Sequence, residues 1–98
     1  METPESDFEW DLRKEARNLV KHGVDFRTAQ QAFGDQRRVL ADDLAHGGAE
    51  RRYFCFGRVA GAILTVRFTW RGGKVRTIGA GYWRAGRRLY EKGNQVHE

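Results

Sequence analysis

Cysteine, proline and long apolar runs are scarce in this 98-residue sequence, which contains one cysteine and one proline. The lone Cys55 cannot form an internal disulfide, which is typical of a protein in a reducing compartment. The longest apolar stretch, around Val59–Val66, contains glycine and threonine and is too short to span a membrane. Residues 1–10 are acidic and lack the apolar segment of a signal peptide. These absences argue against a secreted disulfide scaffold and a helical membrane protein, and they favour the cytoplasm.

Metal-binding and hydrolytic motifs are also missing. His22, His46 and His97 are scattered along the chain, and no CxxC or HExxH spacing occurs. No nucleophile elbow is present, and Cys55 lies within the apolar run YFCF, which indicates buried packing rather than a nucleophile. We therefore expect no metal and no other cofactor.

Charge is divided unequally between the two halves of the chain. Residues 1–50 hold seven Lys and Arg against eleven Asp and Glu, a balance of −4. Residues 51–98 hold eleven Lys and Arg against two Glu, a balance of +9, so the sum is +5. A basic half of this kind favours an anionic partner, most often a nucleic acid.

The clearest structural pattern is a predicted hairpin within residues 62–91. Along its first strand, Leu64, Val66 and Phe68 alternate with polar residues, and Gly72-Gly73 suits a two-residue hairpin loop. The register that follows pairs Arg71 with Lys74, Trp70 with Val75, Thr69 with Arg76 and Arg67 with Ile78.

This register predicts a cationic face on the hairpin. Its members are Arg67, Arg71, Lys74 and Arg76. Because like charges repel, we expect an anion to screen them, and an RNA phosphate backbone is the natural partner. The alternative is an outer sheet face that water alone solvates.

Two amphipathic helices are predicted near the N-terminus. Asp11 is a plausible N-cap and Gly23 a plausible end for the first, and Asp25 and Gly34 bound the second. The faces expected to pack on a sheet are Leu12, Ala16, Leu19 and Val20 in the first helix, and Phe26, Ala29 and Phe33 in the second.

The remaining elements complete an α+β domain. Strands are predicted at residues 37–42 and 51–58, the latter internal because both of its faces are apolar, with a turn over residues 57–61. Glycines at 79 and 81 precede a basic helix, Arg84–Lys92, in which Ala85 and Leu89 are expected to face inward. We predict two N-terminal helices on a small, mainly antiparallel, twisted sheet with a C-terminal helix. This domain spans residues 8–93, between flexible tails at 1–7 and 94–98.

The segment FEWDLRKEARNLVKHGVDFRTAQQAF resembles the opening of BrnT-type toxins, whose pattern is roughly F-E-W-D-x-x-K-x-x-x-N-x-x-K-H-G-V-x-F-x-x-A. The matching residues are Phe8, Trp10, Asp11, Lys14, Asn18, Lys21, His22, Gly23, Val24, Phe26 and Ala29. The resemblance implies a RelE-like fold and metal-free cleavage of RNA. It also implies neutralisation by a BrnA-type antitoxin, for which a heterotetramer is a candidate assembly.

The sequence departs from this pattern after the last strand. Many BrnT-type toxins carry I-S-A-R there, followed by a glutamate in the helix, whereas this chain has Ile78-Gly79-Ala80-Gly81 and then Gly86. Arg84 is a candidate substitute for the missing arginine, and Tyr82 with Trp83 are candidates for a variant site. A weakened or lost nuclease activity is the other interpretation.

The leading hypothesis is therefore a ribonuclease toxin that inhibits translation, and the alternative is an RNA- or protein-binding module without catalysis. The candidate catalytic residues are Arg58, Arg67, Arg76, Tyr82, Arg84 and Tyr90, with arginines stabilising phosphoryl charge and a tyrosine, lysine or histidine moving protons. The candidate RNA-binding residues are Lys14, Lys21, His22, Arg71, Lys74, Trp83, Arg87 and Arg88. For His22, a helix-capping role is the alternative. An acidic segment of the antitoxin is expected to cover the arginine face.

Overall fold

The computed structural model describes residues 7–45 and 48–95. Most of the two predicted tails, as well as His46 and His97, lie outside these residues. The strands are β1 (Phe8–Trp10), β2 (Val39–Asp42), β3 (Tyr53–Val59), β4 (Ala62–Arg71) and β5 (Lys74–Gly81). The helices are α1 (Leu12–His22), α2 (Phe26–Gln30) and α3 (Arg84–Gly93), and a 3₁₀ helix (Gln31–Gly34) follows α2. The α+β class is as predicted.

The strands form one sheet of five, in the order β1-β5-β4-β3-β2. The pairs β2–β3, β3–β4 and β4–β5 are antiparallel, and the short β1 is parallel to β5. The prediction that residues 51–58 form an internal strand is confirmed, because β3 lies between β2 and β4.

The hairpin register is right near the turn and wrong further from it. Gly72 and Gly73 form the loop with positive φ angles of 59° and 78°, and the three predicted pairs nearest the turn are present. Arg67, however, lies opposite Gly79 rather than Ile78, because a β-bulge falls between Arg67 and Phe68. A bulge inserts one extra residue and shifts every pair beyond it.

The turn predicted over residues 57–61 is shorter than expected. β3 continues to Val59, and only Ala60 and Gly61 turn, with φ angles of 52° and 82°. Gly57 is a strand residue that allows the 3₁₀ helix to approach the sheet closely. A Cβ at this position would lie 2.2 Å from the carbonyl oxygen of Ala32 in that helix. The glycine therefore lets a helix backbone rest directly on the sheet.

Hydrophobic residues pack on both faces of the sheet. One face carries the main core, in which Phe26 and Ala29 of α2 meet Leu64, Val66 and Phe68 of β4. The other face carries a smaller cluster formed by Phe56, Ile63 and Tyr90 of α3. Successive residues of a strand point to opposite faces, which is why adjacent Cys55 and Phe56 belong to different clusters.

Helix α1 begins and ends as predicted but packs on the opposite face. The Asp11 side chain accepts hydrogen bonds from the backbone of Arg13 and Lys14, and Gly23 ends the helix with φ 70°. The predicted inward face is wrong, since Leu12, Leu19 and Val20 are exposed. The one buried residue of the helix is Asn18.

Asn18 attaches α1 to the free edge of β5. Its Nδ2 donates to the carbonyl oxygens of Ala80 and Val24, each at 2.9 Å, and its Oδ1 accepts from the Ala80 N–H at 3.1 Å. β1 pairs with β5 only as far as Thr77, so Ala80 lies beyond it. Buried backbone groups need hydrogen-bond partners. A polar residue therefore faces the sheet, and the apolar residues of α1 face solvent.

Helix α3 also differs from the prediction in its inward face. Gly86 and Tyr90 are buried, whereas Ala85 and Leu89 are exposed. A Cβ at position 86 would lie 1.8 Å from Oγ1 of Thr65, so the glycine is what lets α3 approach β4. Close contact at one small residue sets the rotation of this helix.

Candidate nucleic-acid interface

A cleft of about 380 Å³ lies between α1 and the neighbouring part of β4 and β5. Its lining residues are Lys14, Arg17, Asn18, Lys21, His22, Arg67, Ile78, Gly79 and Trp83. We call this the basic cleft, because four of those side chains are Lys or Arg and none is acidic. Lys14, Lys21, His22, Arg67 and Trp83 are five of the residues predicted from the sequence as site residues.

Three of the cations come from α1. Lys14, Arg17 and Lys21 follow one another at spacings of three and four residues, which places them along one side of a helix. Among residues 7–45 and 48–95, none of the three forms an ion pair with a carboxylate. Their charge is therefore available to an anion in the cleft. Arg17 was not predicted as a site residue, although its spacing from Lys14 and Lys21 was visible in the sequence.

Arg67 supplies the fourth cation from the sheet. Its Nε lies 3.5 Å from Oδ2 of Asp43, a carboxylate that is almost fully buried, while the Arg67 side chain remains 32% exposed. The Asp43 N–H donates to the carbonyl oxygen of Arg52 at 2.9 Å, which fixes the acidic residue in turn. The guanidinium is thus held on one side by Asp43 and borders the cleft.

An aromatic pair closes one side of the cleft. The rings of His22 and Trp83 meet edge to face, with centroids 5.0 Å apart. A Cβ at Gly81 would lie 2.5 Å from the Trp83 indole, so this ring covers the space that a side chain at position 81 would occupy. Glycine at position 81 and tryptophan at position 83 therefore depend on each other sterically.

The hairpin arginines do not form the uncompensated cationic face that we expected. Arg76 lies 3.0 Å from Glu9 of β1, and Arg71 lies 3.0 Å from Glu50, in addition to the Arg67–Asp43 pair. The expectation is wrong because acidic residues distant in sequence approach each of the three arginines. Lys74 is exposed at the hairpin turn.

Two further candidates, Arg58 and Tyr90, lie away from the cleft in what we call the Asp35 cluster (Asp35, Arg58 and Tyr90). The Tyr90 hydroxyl and the backbone N–H of Arg58 each donate to Oδ2 of Asp35 at 2.7 Å, and the Arg58 guanidinium lies 5.8 Å from the Tyr90 ring centroid. Residue Tyr90 joins α3 to the segment between the 3₁₀ helix and β2.

Titration in the Asp35 cluster follows from these hydrogen bonds. Burial by itself would raise the pKa of Asp35, but the hydrogen bonds from Arg58, Tyr90 and Arg37 outweigh it, and the pKa is lowered. The hydrogen bond to the Asp35 carboxylate raises the pKa of Tyr90, and burial adds to that effect. A tyrosine that donates to a carboxylate and is harder to ionise is suited to holding α3 in place.

The other predicted site residues lie on the surface around α3. Tyr82, Arg84 and Arg88 are exposed, and Arg87 forms an exposed ion pair with Glu91 at 3.2 Å. The lining of the basic cleft includes none of these four residues.

Cys55 is buried in the core, and burial raises the pKa of its thiol to about 12.

Residues 7–45 and 48–95 contain neither a cluster of metal ligands nor a membrane-spanning helix. There, no three His, Cys, Asp or Glu side chains come together in a way that could hold a metal ion. No helix in those same parts has the length and apolar character needed to cross a membrane.

The fold and the cleft define a small α+β protein that presents a row of helix cations and a tryptophan beside a sheet edge. The family model described as "Ribonuclease toxin, BrnT, of type II toxin-antitoxin system" matches residues 10–86. The chain therefore belongs to the BrnT toxin family, and the resemblance seen in its sequence is confirmed. Membership in this family implies an RNA target and an antitoxin partner. A search of curated proteins gave no match.

Proposed function

We propose that this chain is a metal-independent ribonuclease toxin that cleaves RNA in the cytoplasm, inhibits translation and is neutralised by a BrnA-type antitoxin. The observation that carries the proposal is the basic cleft, in which Lys14, Arg17 and Lys21 form no ion pair with a carboxylate of the described residues and lie beside Arg67 and Trp83. Phosphate contacts of this kind position RNA, and aromatic rings stack on unpaired bases.

The proposed chemistry uses the RNA's own 2′-hydroxyl. Its oxygen bonds to the adjacent phosphorus while the bond from phosphorus to the 5′-oxygen breaks. The 2′-hydroxyl proton passes to a base on the protein, and the departing 5′-oxygen receives a proton. His22 is the proposed proton carrier, since an imidazole in the cleft can accept a proton from the 2′-hydroxyl or donate one to the 5′-oxygen. Arg67 stabilises the charge that builds on the phosphoryl oxygens.

The remaining catalytic candidates take different parts in this proposal. Arg58 and Tyr90 hold α3 through Asp35, and Arg76 joins β5 to β1 through Glu9. Tyr82 and Arg84 flank Trp83 in the chain and are the second choice for proton transfer and phosphate binding. Surface cations Arg71, Lys74, Arg87 and Arg88 would add longer-range attraction for RNA, screened by salt.

The proposal is tested with purified protein, RNA and excess EDTA. Cleavage should survive chelation and should fall about 100-fold in Arg67→Ala, the loss typical of a donor that stabilises transition-state charge. Lys21→Ala should weaken RNA binding. It should also reduce the slope of log K against log salt concentration by about 1. Arg13→Ala is the matched control, because Arg13 lies on the same helix, is exposed and does not line the cleft.

Arg67→Lys distinguishes a charge effect from a folding effect, since it keeps a cation near the buried Asp43. Cleavage that stops with EDTA, or that is equal in the Arg67→Ala and Arg13→Ala variants, would exclude the proposed mechanism.

A second candidate function is RNA binding without cleavage. It is favoured by Gly81, where the family arginine is absent and the Trp83 ring covers the space. In that case RNA should bind with the same dependence on Lys21 but remain uncut. Single-turnover assays with excess protein separate the two functions.

Mass measurement of the complex with its antitoxin would test the proposed heterotetramer.

A further inference from the structure

An apolar stripe runs along the solvent side of α1. Its members are Leu12, Ala16, Leu19 and Val20. Leu12 is 74% exposed and Val20 is 88% exposed, whereas the opposite side of the helix carries the buried Asn18. Water-soluble helices normally turn their apolar stripe toward the core. The folded chain leaves this stripe uncovered, because Asn18 is required at the sheet edge.

The stripe lies between two shallow depressions. One, of about 540 Å³, is lined by Leu12, Ala16 and Leu19 together with Trp10 of β1 and with Glu15, Asp25 and Arg27. The other, of about 490 Å³, is lined by Ala16, Arg17, Val20 and Lys21. A helix or extended segment laid along α1 could place apolar side chains in both depressions.

Two cations border the apolar stripe and also line the basic cleft. Arg17 and Lys21 line the depression beside Val20, and they also line the basic cleft. A partner seated on the stripe would therefore meet these two positive charges at its edge. Carboxylates on that partner would complement them.

From these contacts we infer that the solvent face of α1 is the docking surface for the antitoxin, through an amphipathic segment with apolar residues against the stripe and acidic residues against Arg17 and Lys21. The occupant follows from charge as well as from family membership. A second copy of this chain that docked α1 against α1 would bring Arg17 and Lys21 of both copies to the border of one interface, where their like charges repel.

This arrangement makes binding of antitoxin and RNA mutually exclusive. The antitoxin occupies Arg17 and Lys21, and RNA then loses two of the cleft's four cations. Neutralisation would follow from competition for shared charges without a change of fold. That link to RNA rests on the proposed function, whereas the docking surface itself does not.

The test uses the double variant Leu12→Ser and Val20→Ser with a purified antitoxin polypeptide of the BrnA type, and calorimetry measures its affinity. Antitoxin affinity should fall about 100-fold, because two apolar side chains are lost from the interface. The matched control is Leu44→Ser with Leu89→Ser, which removes two other exposed leucines, in the β2–β3 connection and on α3. It should change affinity less than twofold.

Cleavage of RNA by each free variant is measured in parallel, and both should equal the wild type. In the presence of antitoxin, the α1 variant should continue to cleave while the control is inhibited. An α1 variant that binds antitoxin as tightly as the control overturns the inference. So does a wild-type chain that dimerises alone and becomes monomeric with the two serines, because a second copy would then occupy the stripe.

The two proposals fail in distinguishable ways. If the wild type cuts no RNA but the α1 variant still loses antitoxin, the docking surface stands and the nuclease proposal falls. Thermal melting of all variants should be nearly unchanged, since the four substituted side chains are substantially exposed.

Discussion

The basic cleft and the Asp35 cluster are made of similar residues and differ in their partners. Both contain arginine beside an aromatic ring, and Arg58 lies opposite Ile63, four residues along β4 from Arg67. In the Asp35 cluster, one carboxylate accepts hydrogen bonds from Tyr90, Arg58 and Arg37. In the cleft, Lys14, Arg17 and Lys21 have no acidic partner among the described residues.

This contrast shows that residue type alone does not separate a binding site from a structural contact. In the Asp35 cluster, the Tyr90 hydroxyl and the backbone N–H of Arg58 share one carboxylate, and this shared acceptor holds α3 in place. Lysine and arginine without such a partner keep their capacity for a ligand. The position of each acidic residue is therefore what assigns the roles.

The largest expected effect comes from removing the shared carboxylate. Asp35→Ala leaves the Tyr90 hydroxyl and two backbone N–H groups without their acceptor, and should lower the free energy of unfolding by about 3 kcal/mol. Urea denaturation measures the change. RNA binding per folded molecule should stay the same; a variant of normal stability with weakened RNA binding would place Asp35 in the RNA site instead.

A smaller effect is expected from placing an arginine at position 81. Gly81→Arg places a Cβ within 2.5 Å of the Trp83 indole and should destabilise the fold by about 2 kcal/mol. Adding Trp83→Ala opens the space, so the double variant should be more stable than the sum of the single changes, with a coupling of about 1 kcal/mol. Thermal denaturation of all four proteins measures that coupling. Strict additivity would mean that the ring does not constrain position 81.

The pH dependence of stability distinguishes the two regions further. The folded pKa of Asp35 is lowered, so its contribution is present above the ordinary value of 3.8 and is lost as the pH falls below it. Unfolding free energies should therefore fall from pH 6 to pH 3, and fall less steeply in Asp35→Asn. Equal slopes for the wild type and this variant would show that other carboxylates are responsible.

The smallest effect is expected at the exposed ion pairs. Arg71→Ala breaks the 3.0 Å pair between the exposed side chains of Arg71 and Glu50, and should leave the denaturation midpoint close to that of the wild type. Arg51→Ala, which breaks the pair with Asp42, serves as the comparison. A denaturation midpoint lowered well below that of Arg51→Ala would show that the Arg71 pair has a structural role beyond a surface contact.

Local features were predictable because they depend on neighbouring residues. Asp11 caps α1, Gly23 ends it, and Gly72-Gly73 forms the hairpin loop, each through a conformation or hydrogen bond set within a few residues. Five of the nine cleft-lining residues were predicted as site residues, mostly through the family pattern in α1. Arg17 was missed because the pattern does not mark it.

Features that depend on contacts between distant residues were not predictable in the same way. The inward face of α1 is set by Asn18 and Ala80, which are separated by 62 positions in the sequence. The rotation of α3 is set by the contact of Gly86 with Thr65, and the bulge that moves Ile78 out of register arises between paired strands. In each case the orientation of the helix or the register of the strands was determined less by hydrophobic periodicity than by one close or hydrogen-bonded contact.

Short stretches of residues were enough to predict the α+β class, the helix ends, the hairpin turn and membership in the BrnT family, because turn preferences, caps and family motifs are local. The folded structure was needed to show which cations have no acidic partner among the described residues and which apolar residues face solvent. Electrostatic pairing and burial act through space, so they depend on residues that are distant in the sequence. Asp43, Glu9 and Glu50 are far from their arginines along the chain and lie beside them in the folded protein.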